Sequence, residues 1–330
     1  MKTVRMIGLA LFAILLCVNF TSCSSNDDVE PDAPQKPKEY VVSLGFTGEI
    51  SVSESPLSRA SGNDLYGIQV YSCPNVDGAT TYTKYAYGLF DDTSEMTIKL
   101  LEGYKYKFIA TMVVDGKNKI PHATETDIYL APFKINGSTS EYTKITNSFK
   151  ITNIEYFYGL DSGSTGSQLG HAAGFERYYG SCDYIVDDSK SVSIDMKKAV
   201  FGAKFIAEGL TEGVLTVKMY RTRDILITHP EASYENIFTF DKLSSTDNYS
   251  EKINTVISWT KTDGVVVPLG THYITFKRNV LTTVTIKVAD ITTENGIGFE
   301  LETTEMGTED ITIENGEIVD TNVEPGTEQN

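Results

Sequence analysis

A repeat of two in the apolar residues constrains this chain more than any other feature. Val42, Leu44 and Phe46 alternate with Ser43, Gly45 and Thr47, and after Gly48 the alternation resumes at Ile50 and Val52. Successive strand residues point to opposite faces, so this stretch reads as a half-buried strand with a bulge at Gly48. The habit returns at Tyr66, Ile68 and Val70, at Met96, Ile98 and Leu100, and at Tyr104, Tyr106 and Phe108 against Lys105 and Lys107. Between such runs, Asp115-Gly116, Asn136-Gly137, Asp263-Gly264, Asn295-Gly296 and Asn315-Gly316 offer the positive φ that tight hairpins need. With 19 Tyr, 15 Phe, 26 Gly and one Trp, the composition favours strands and turns over long helices. The expected class is all-β.

A chain of 330 residues holds about two domains at ordinary domain size. Its 28 Lys and Arg against 45 Asp and Glu leave a formal charge of -17. A phosphate backbone would be repelled across most of such a surface, which argues against nucleic acid as a partner.

The N-terminus carries an export signal. Lys2 and Arg5 precede an apolar stretch from Met6 to Val18, about 13 residues, the length of a signal-peptide core and short for a bilayer span. The stretch ends in Asn19-Phe20-Thr21-Ser22-Cys23. Two small residues before a cysteine resemble the lipobox of bacterial lipoproteins, which implies acylation of Cys23, a palmitate-type modification, as the new first residue. Residues 23–38 are acidic and Pro-rich and read as a flexible tether. A Ser and acidic cluster directly after the cysteine also resembles the signal that sends lipoproteins to the outer face of the outer membrane in some Gram-negative anaerobes. Two or three acyl chains anchor a protein stably without a spanning helix.

Residues 39–190 are expected to form an N-terminal β-sandwich. Gly159 to Gly180 interrupts it as a long loop with a short helix near Ala172 to Glu176. The run from Ser191 to Ala207 is long enough to leave one sandwich and open the next, so a C-terminal sandwich is expected over 191–302. Its strands are Val214 to Met219, Val265 to Val267, His272 to Phe276, Val284 to Val288 and Ile297 to Leu301. An acidic tail follows over 303–330, with apolar residues at Ile311, Ile313, Ile318, Val319 and Val323. Cys73 and Cys182 are the cysteines left after Cys23, and they either pair in an oxidising compartment or stand as two separate buried thiols.

No catalytic constellation stands out. His122, His171, His229 and His272 are isolated, without metal-ligand spacing or a nearby cysteine. No nucleophile elbow, P-loop or dinucleotide glycine pattern occurs. Asp91-Asp92 and Asp187-Asp188 sit beside turn residues and read as solvated loop acids. The loop around Asp161 lacks acids at alternate positions for Ca²⁺. No cofactor, no metal and no enzymatic activity are expected.

Several stretches together resemble one family. Pro56-Leu57-Ser58-Arg59-Ala60 is followed by Asp64-Leu65-Tyr66-Gly67-Ile68-Gln69-Val70-Tyr71, then by Asp195-Met196-Lys197-Lys198-Ala199-Val200-Phe201, and late in the chain by Phe276-Lys277-Arg278-Asn279-Val280-Leu281-Thr282-Thr283-Val284. In that order they resemble the fimbrillins of type V pili. The resemblance implies a lipoprotein precursor with two tandem transthyretin-like β-sandwiches. It implies cleavage by an arginine-specific protease between Arg59 and Ala60, which removes the tether and a replaceable first strand holding Val42, Leu44, Phe46, Ile50 and Val52. A neighbouring subunit's C-terminal segment would then fill the groove, and residues 303–330 are this chain's candidate donor.

The leading expectation is therefore a structural subunit of a cell-surface pilus, or a pilus-associated adhesin. Its partners would be other pilus subunits through strand exchange, the maturation protease, the outer membrane through the lipid, and an unidentified surface ligand. The alternative is a glycan-binding surface lipoprotein of a nutrient-uptake system, with aromatic platforms for sugar rings. The single Trp259 speaks mildly against that reading, although Tyr can substitute. A hydrolase with two carboxylates that meet only in three dimensions ranks third.

Overall fold

The strand patterns fold into stacked sheets, seen in a computed structural model that describes residues 37–49, 62–94, 96–123, 128–136, 143–158, 160 and 171–288, with further strands at 299–305, 309–314 and 317–319. All of these lie within one compact unit, Pro37–Asn330. The all-β expectation holds: among the described residues the only helix is the four-residue turn Gly116–Lys119.

The first half is built on five long strands, β1 (Glu39–Gly48), β2 (Leu65–Pro74), β3 (Thr83–Phe90), β4 (Thr97–Leu101) and β5 (Tyr104–Val113). Two-residue strands follow: β6 (His122–Ala123), β7 (Ile128–Tyr129), β8 (Ile135–Asn136), β9 (Thr143–Lys144), β10 (Lys150–Ile151) and β11 (Tyr156–Phe157). Then come β12 (Arg177–Ile185) and β13 (Ser191–Lys198). One sheet joins eight of them in the order β10-β3-β2-β5-β12-β13-β1-β4. It turns a corner at β12 and β13, which share only the pairs Tyr178 with Lys198 and Tyr179 with Lys197. The two arms of the sheet then bury one core between them: Val42 and Leu44 from β1, Ile98 and Leu100 from β4, and Val192, Ile194 and Met196 from β13 meet Ile68, Val70, Tyr106, Phe108 and Tyr178.

Strand β2 is buried on both faces, which its sequence does not advertise. The reason is a third layer. Phe133, Ile135, Phe157 and Tyr129 from the short strands and loops cover Leu65, Leu89, Ile109 and Tyr179. Gly67 makes room for it, because a Cβ there would lie 2.8 Å from the Phe133 ring. Gln69 pins the layer by donating to the Ala86 carbonyl at 2.9 Å and accepting from the Phe157 N–H at 3.1 Å.

The second half is a sandwich of two sheets. Its strands are β14 (Val200–Glu208), β15 (Val214–Met219), β16 (Ile225–Thr228), β17 (Ser233–Thr239), β18 (Ser250–Thr260), β19 (Val266–Lys277), β20 (Val280–Lys287), β21 (Phe299–Glu305), β22 (Glu309–Glu314) and β23 (Glu317–Val319). One sheet runs β17-β14-β20-β21-β22-β23 and the other β16-β15-β18-β19. Phe201, Phe205, Phe238, Val284 and Ile286 from the first meet Leu215, Val217, Ile227, Trp259 and Phe276 from the second.

Four sequence expectations need correction. The boundary at 191 falls one strand early: β13 pairs with β1 and β12 and buries its side chains in the first core, and the change of core comes at Ala199 and Val200. The helix near Ala172 to Glu176 does not form, because Ala173 bridges Phe238 and these residues extend along the edge of β17. The segments 265–267 and 272–276 are one strand, β19, with a register shift opposite Ile257 and Ser258. The boundary at 302 cuts through β21, and the tail continues as an antiparallel meander of β22 on β21 and β23 on β22.

Candidate functional site

The first strand supplies the candidate site. β1 is inserted between two others, parallel to β13 over Ser43–Gly48 and antiparallel to β4 over Glu39–Ser43. Its alternation does what the sequence implied. Val42 and Leu44 are buried, while Phe46 is half-buried and stacks on Tyr66 with ring centroids 5.5 Å apart. Burying these three side chains is worth up to about 5 to 8 kcal/mol. β4 is the end strand and has β1 as its one neighbour in the sheet, so losing β1 would open a trench floored by Ile98, Leu100, Val192 and Ile194 and leave two ladders unpaired.

Gly48 ends the strand. At φ 85° it takes the left-handed conformation, and a Cβ there would collide with Asp195 Oδ1 and the Met196 carbonyl. The turn lets Glu49 donate its N–H to the Met196 carbonyl at 2.8 Å and places its carboxylate in a ready-made cation site. Arg278, 7% exposed and located between β19 and β20, donates from Nη1 to Glu49 Oε1 at 2.9 Å and Oε2 at 3.0 Å. The Lys198 N–H donates to Glu49 Oε2 at 2.6 Å. Arg278 is held in turn by the carbonyls of Thr246, Asp247 and Lys198 at 3.2 to 3.3 Å. The exit of β1 is thus tied to a hairpin of the second half. Nearby, Asp195 first and then Asp247 raise the pKa of Lys197.

Of the other residues singled out in the sequence, Cys23, Ile50, Val52, Arg59 and Ala60 lie outside the described residues. Cys73 and Cys182 are free thiols and do not bridge. They flank β5 on opposite sides, Cys73 opposite Lys105 and Cys182 opposite Phe108. Two strand spacings and a three-residue offset separate their Cα atoms by roughly 14 Å, beyond the reach of a disulfide. Burial pushes the Cys182 thiol up to about 11, with Asp183 adding to the shift.

The histidines do not gather, and no cluster of three or more metal-ligating acids, histidines or cysteines occurs among the described residues. His171 nevertheless heads a polar cluster that spacing alone does not show. It is 3% exposed, with Nδ1 2.6 Å from the Tyr220 carbonyl and Nε2 3.0 Å from Glu251 Oε2. Glu251 Oε1 also accepts from Tyr249 at 2.6 Å and from the Lys242 N–H at 3.0 Å. Burial pushes the Glu251 carboxyl up, but the hydrogen bonds from His171, Tyr249 and Lys242 outweigh it and hold the group below the usual carboxylate range. An open cavity of about 610 Å³ lies against this cluster. The one sequence signal was Tyr273, an aromatic residue on the water-facing parity of an alternating strand.

Trp259 is buried and donates from Nε1 to the Glu212 carbonyl at 2.9 Å, so it is no sugar platform. Tyr220 and Tyr273 are the large aromatics on the surface, 63% and 56% exposed.

No protein-family model matches the chain, and no curated protein matches it in sequence. Among solved structures, the chain is similar to the fimbrial anchor protein Mfa2 from Porphyromonas gingivalis, at 9% identity and a TM-score of 0.38 over 85% of this chain and 100% of that one. It is similar to a fimbrial assembly protein from Parabacteroides distasonis, at 10% identity and a TM-score of 0.35 over 84% of this chain and 100% of that one. It is also similar to the tip fimbrial protein Mfa3 from Porphyromonas gingivalis, at 11% identity and a TM-score of 0.29 over 81% of this chain and 99% of that one.

Proposed function

We propose that this chain is a non-enzymatic subunit of a cell-surface pilus, or an adhesin attached to one, and that β1 is the strand exchanged on assembly. The observation that carries the reading is the position of β1. It is an interior strand of its sheet, yet it comes from the very start of the folded chain and joins the rest only through residues 50–61, which contain Arg59. Cutting after Arg59 would free it without severing any other strand. The vacated trench would then accept an extended segment from another subunit through backbone pairing and alternate apolar side chains. Before that cut, Cys23 would hold the precursor on the outer membrane through its lipid.

The candidate donor is itself engaged. Residues 309–319 pair within the chain's own sheet as β22 and β23, so donation requires them to peel from β21, whereas accepting a strand requires only the loss of β1. The test compares four samples by size-exclusion chromatography and electron microscopy: intact chain, chain cut by an arginine-specific protease, an Arg59→Ala variant given the same protease, and cut chain lacking residues 303–330. Ladders are expected from the second alone. Cut chain that stays monomeric refutes strand exchange. Ladders from the truncated chain refute the tail as donor. For the anchor, Cys23→Ala should move the monomer from the detergent phase to the aqueous phase, and a variant that still fractionates with membranes rejects lipidation there.

A further inference from the structure

The second half of the molecule carries a surface site that the strand groove does not explain. Register sets Asn254 of β18 opposite Tyr273 of β19, as cross-strand neighbours on the outer face, with Lys252 two residues along on the same face. Tyr220, at the end of β15, donates its N–H to the Asn254 carbonyl at 2.8 Å, which brings the second exposed tyrosine to the same place. Asp241 completes the group, its Oδ2 accepting from Arg221 at 2.9 Å. All of these except Arg221 line the cavity of about 610 Å³.

Two features of this wall point to a ligand. Asp241 Oδ1 and Asn254 Oδ1 are both buried and accept no hydrogen bond. Buried acceptors left without donors are uncommon and cost free energy, so two of them lining one open cavity call for a molecule that brings hydroxyl or amide hydrogens. The tyrosines add flat apolar faces at the rim. Charge narrows the class. Lys242 and Lys252 in the same wall oppose a metal cation, and Asp241 and Glu251 oppose an anion. A molecule that is neutral, rich in donors and flat on one C–H face is a pyranose.

We infer that the cavity bounded by Tyr220, Tyr273, Asn254 and Asp241 is a binding site for a neutral saccharide. The inference deepens the adhesin side of the proposed function by naming the class of its surface ligand. Tyr273 and Tyr220 stack on sugar rings, and Asn254 and Asp241 accept from ring hydroxyls. Lys252, whose Nζ lies 5.8 Å from the Tyr273 ring centre, swings aside to admit them.

The test applies purified full chain in mild detergent to an array of mannan, glucan, galactan and N-acetylglucosamine oligomers, with sialylated and sulfated glycans alongside, followed by calorimetry on the best binder. At least one neutral oligosaccharide is expected to bind. The double variant Tyr220→Ala with Tyr273→Ala should weaken it by about tenfold or more, Asn254→Ala should weaken it similarly, and Tyr273→Phe should stay within about threefold because the ring is kept. Both tyrosines are more than half exposed, so the double variant should keep the wild-type circular dichroism spectrum and melting temperature. Absence of binding to every neutral oligomer at millimolar concentration overturns the inference. So does binding confined to charged glycans, or affinity unchanged in the double variant. Saccharide binding by a chain that never polymerises overturns strand exchange and leaves this site standing, whereas polymerisation without saccharide binding does the reverse.

Discussion

Removing the carboxylate of Glu49 perturbs the place where β1 leaves its sheet, and the cost can be worked from the contacts. Breaking a fully buried ion pair by deleting one partner costs about 3 to 5 kcal/mol, because the remaining charge is left uncompensated. Here Arg278 is 7% exposed but Glu49 is 27% exposed, so water screens one side of the pair. Arg278 also keeps three backbone carbonyls as acceptors. Against that, the Lys198 N–H loses its acceptor. Discounting for screening and for the surviving carbonyls leaves about 2 kcal/mol for Glu49→Ala. Urea unfolding of wild type, Glu49→Ala, Arg278→Met and the double variant closes a cycle that isolates the coupling. Glu49→Ala should cost about 2 kcal/mol in the wild-type background and less than about 0.5 kcal/mol once Arg278 is Met. If β1 is the exchanged strand, chain cut after Arg59 should also release it faster in the Glu49→Ala variant. Additive single effects, or a Glu49→Ala cost below about 0.5 kcal/mol, would show that the pair is a surface contact without consequence.

Two further outcomes follow from buried charge. Glu251 has a pKa lowered in the folded state from 4.5, so its stabilisation is present above that value and is lost as pH falls through the folded pKa. Chemical unfolding between about pH 3 and 6 should show stability falling with acid, with a shallower fall in Glu251→Gln, and equal slopes would reject the assignment. Arg177 is fully buried, donates from Nε to Thr111 Oγ1 at 2.8 Å and has no partner at Nη1 or Nη2. Burial pulls its guanidinium down to about 9, so Arg177→Met should leave the melting temperature unchanged or raise it, and a fall of several degrees would mean that the charge is satisfied.

What could be read from the residues was whatever depends on near neighbours. The alternation of Val42, Leu44 and Phe46 located β1, and that of Val192, Ile194 and Met196 located β13, because a period of two follows from the backbone whatever the partner. Asp263-Gly264 marked the turn between β18 and β19, with Gly264 at φ 85°. Which sheet a strand joins depends instead on partners far along the chain. β13 was assigned to the wrong half because nothing in Ser191–Lys198 records that β1, nearly 150 residues earlier, lies parallel beside it. Asp115-Gly116 failed as a hairpin sign for a related reason: Asp115 does take the left-handed conformation, at φ 55°, but its N–H is captured by Asp64 Oδ1 and the chain then turns into the short helix. The exit of β1 is the extreme case. Glu49 and Arg278 stand 229 residues apart, and each alone reads as a surface charge in an acidic chain. Only when Gly48 bends the chain beside Asp195, and β19 and β20 bring their hairpin to the same point, does the first strand acquire a hold on the second half that a change at either end can loosen.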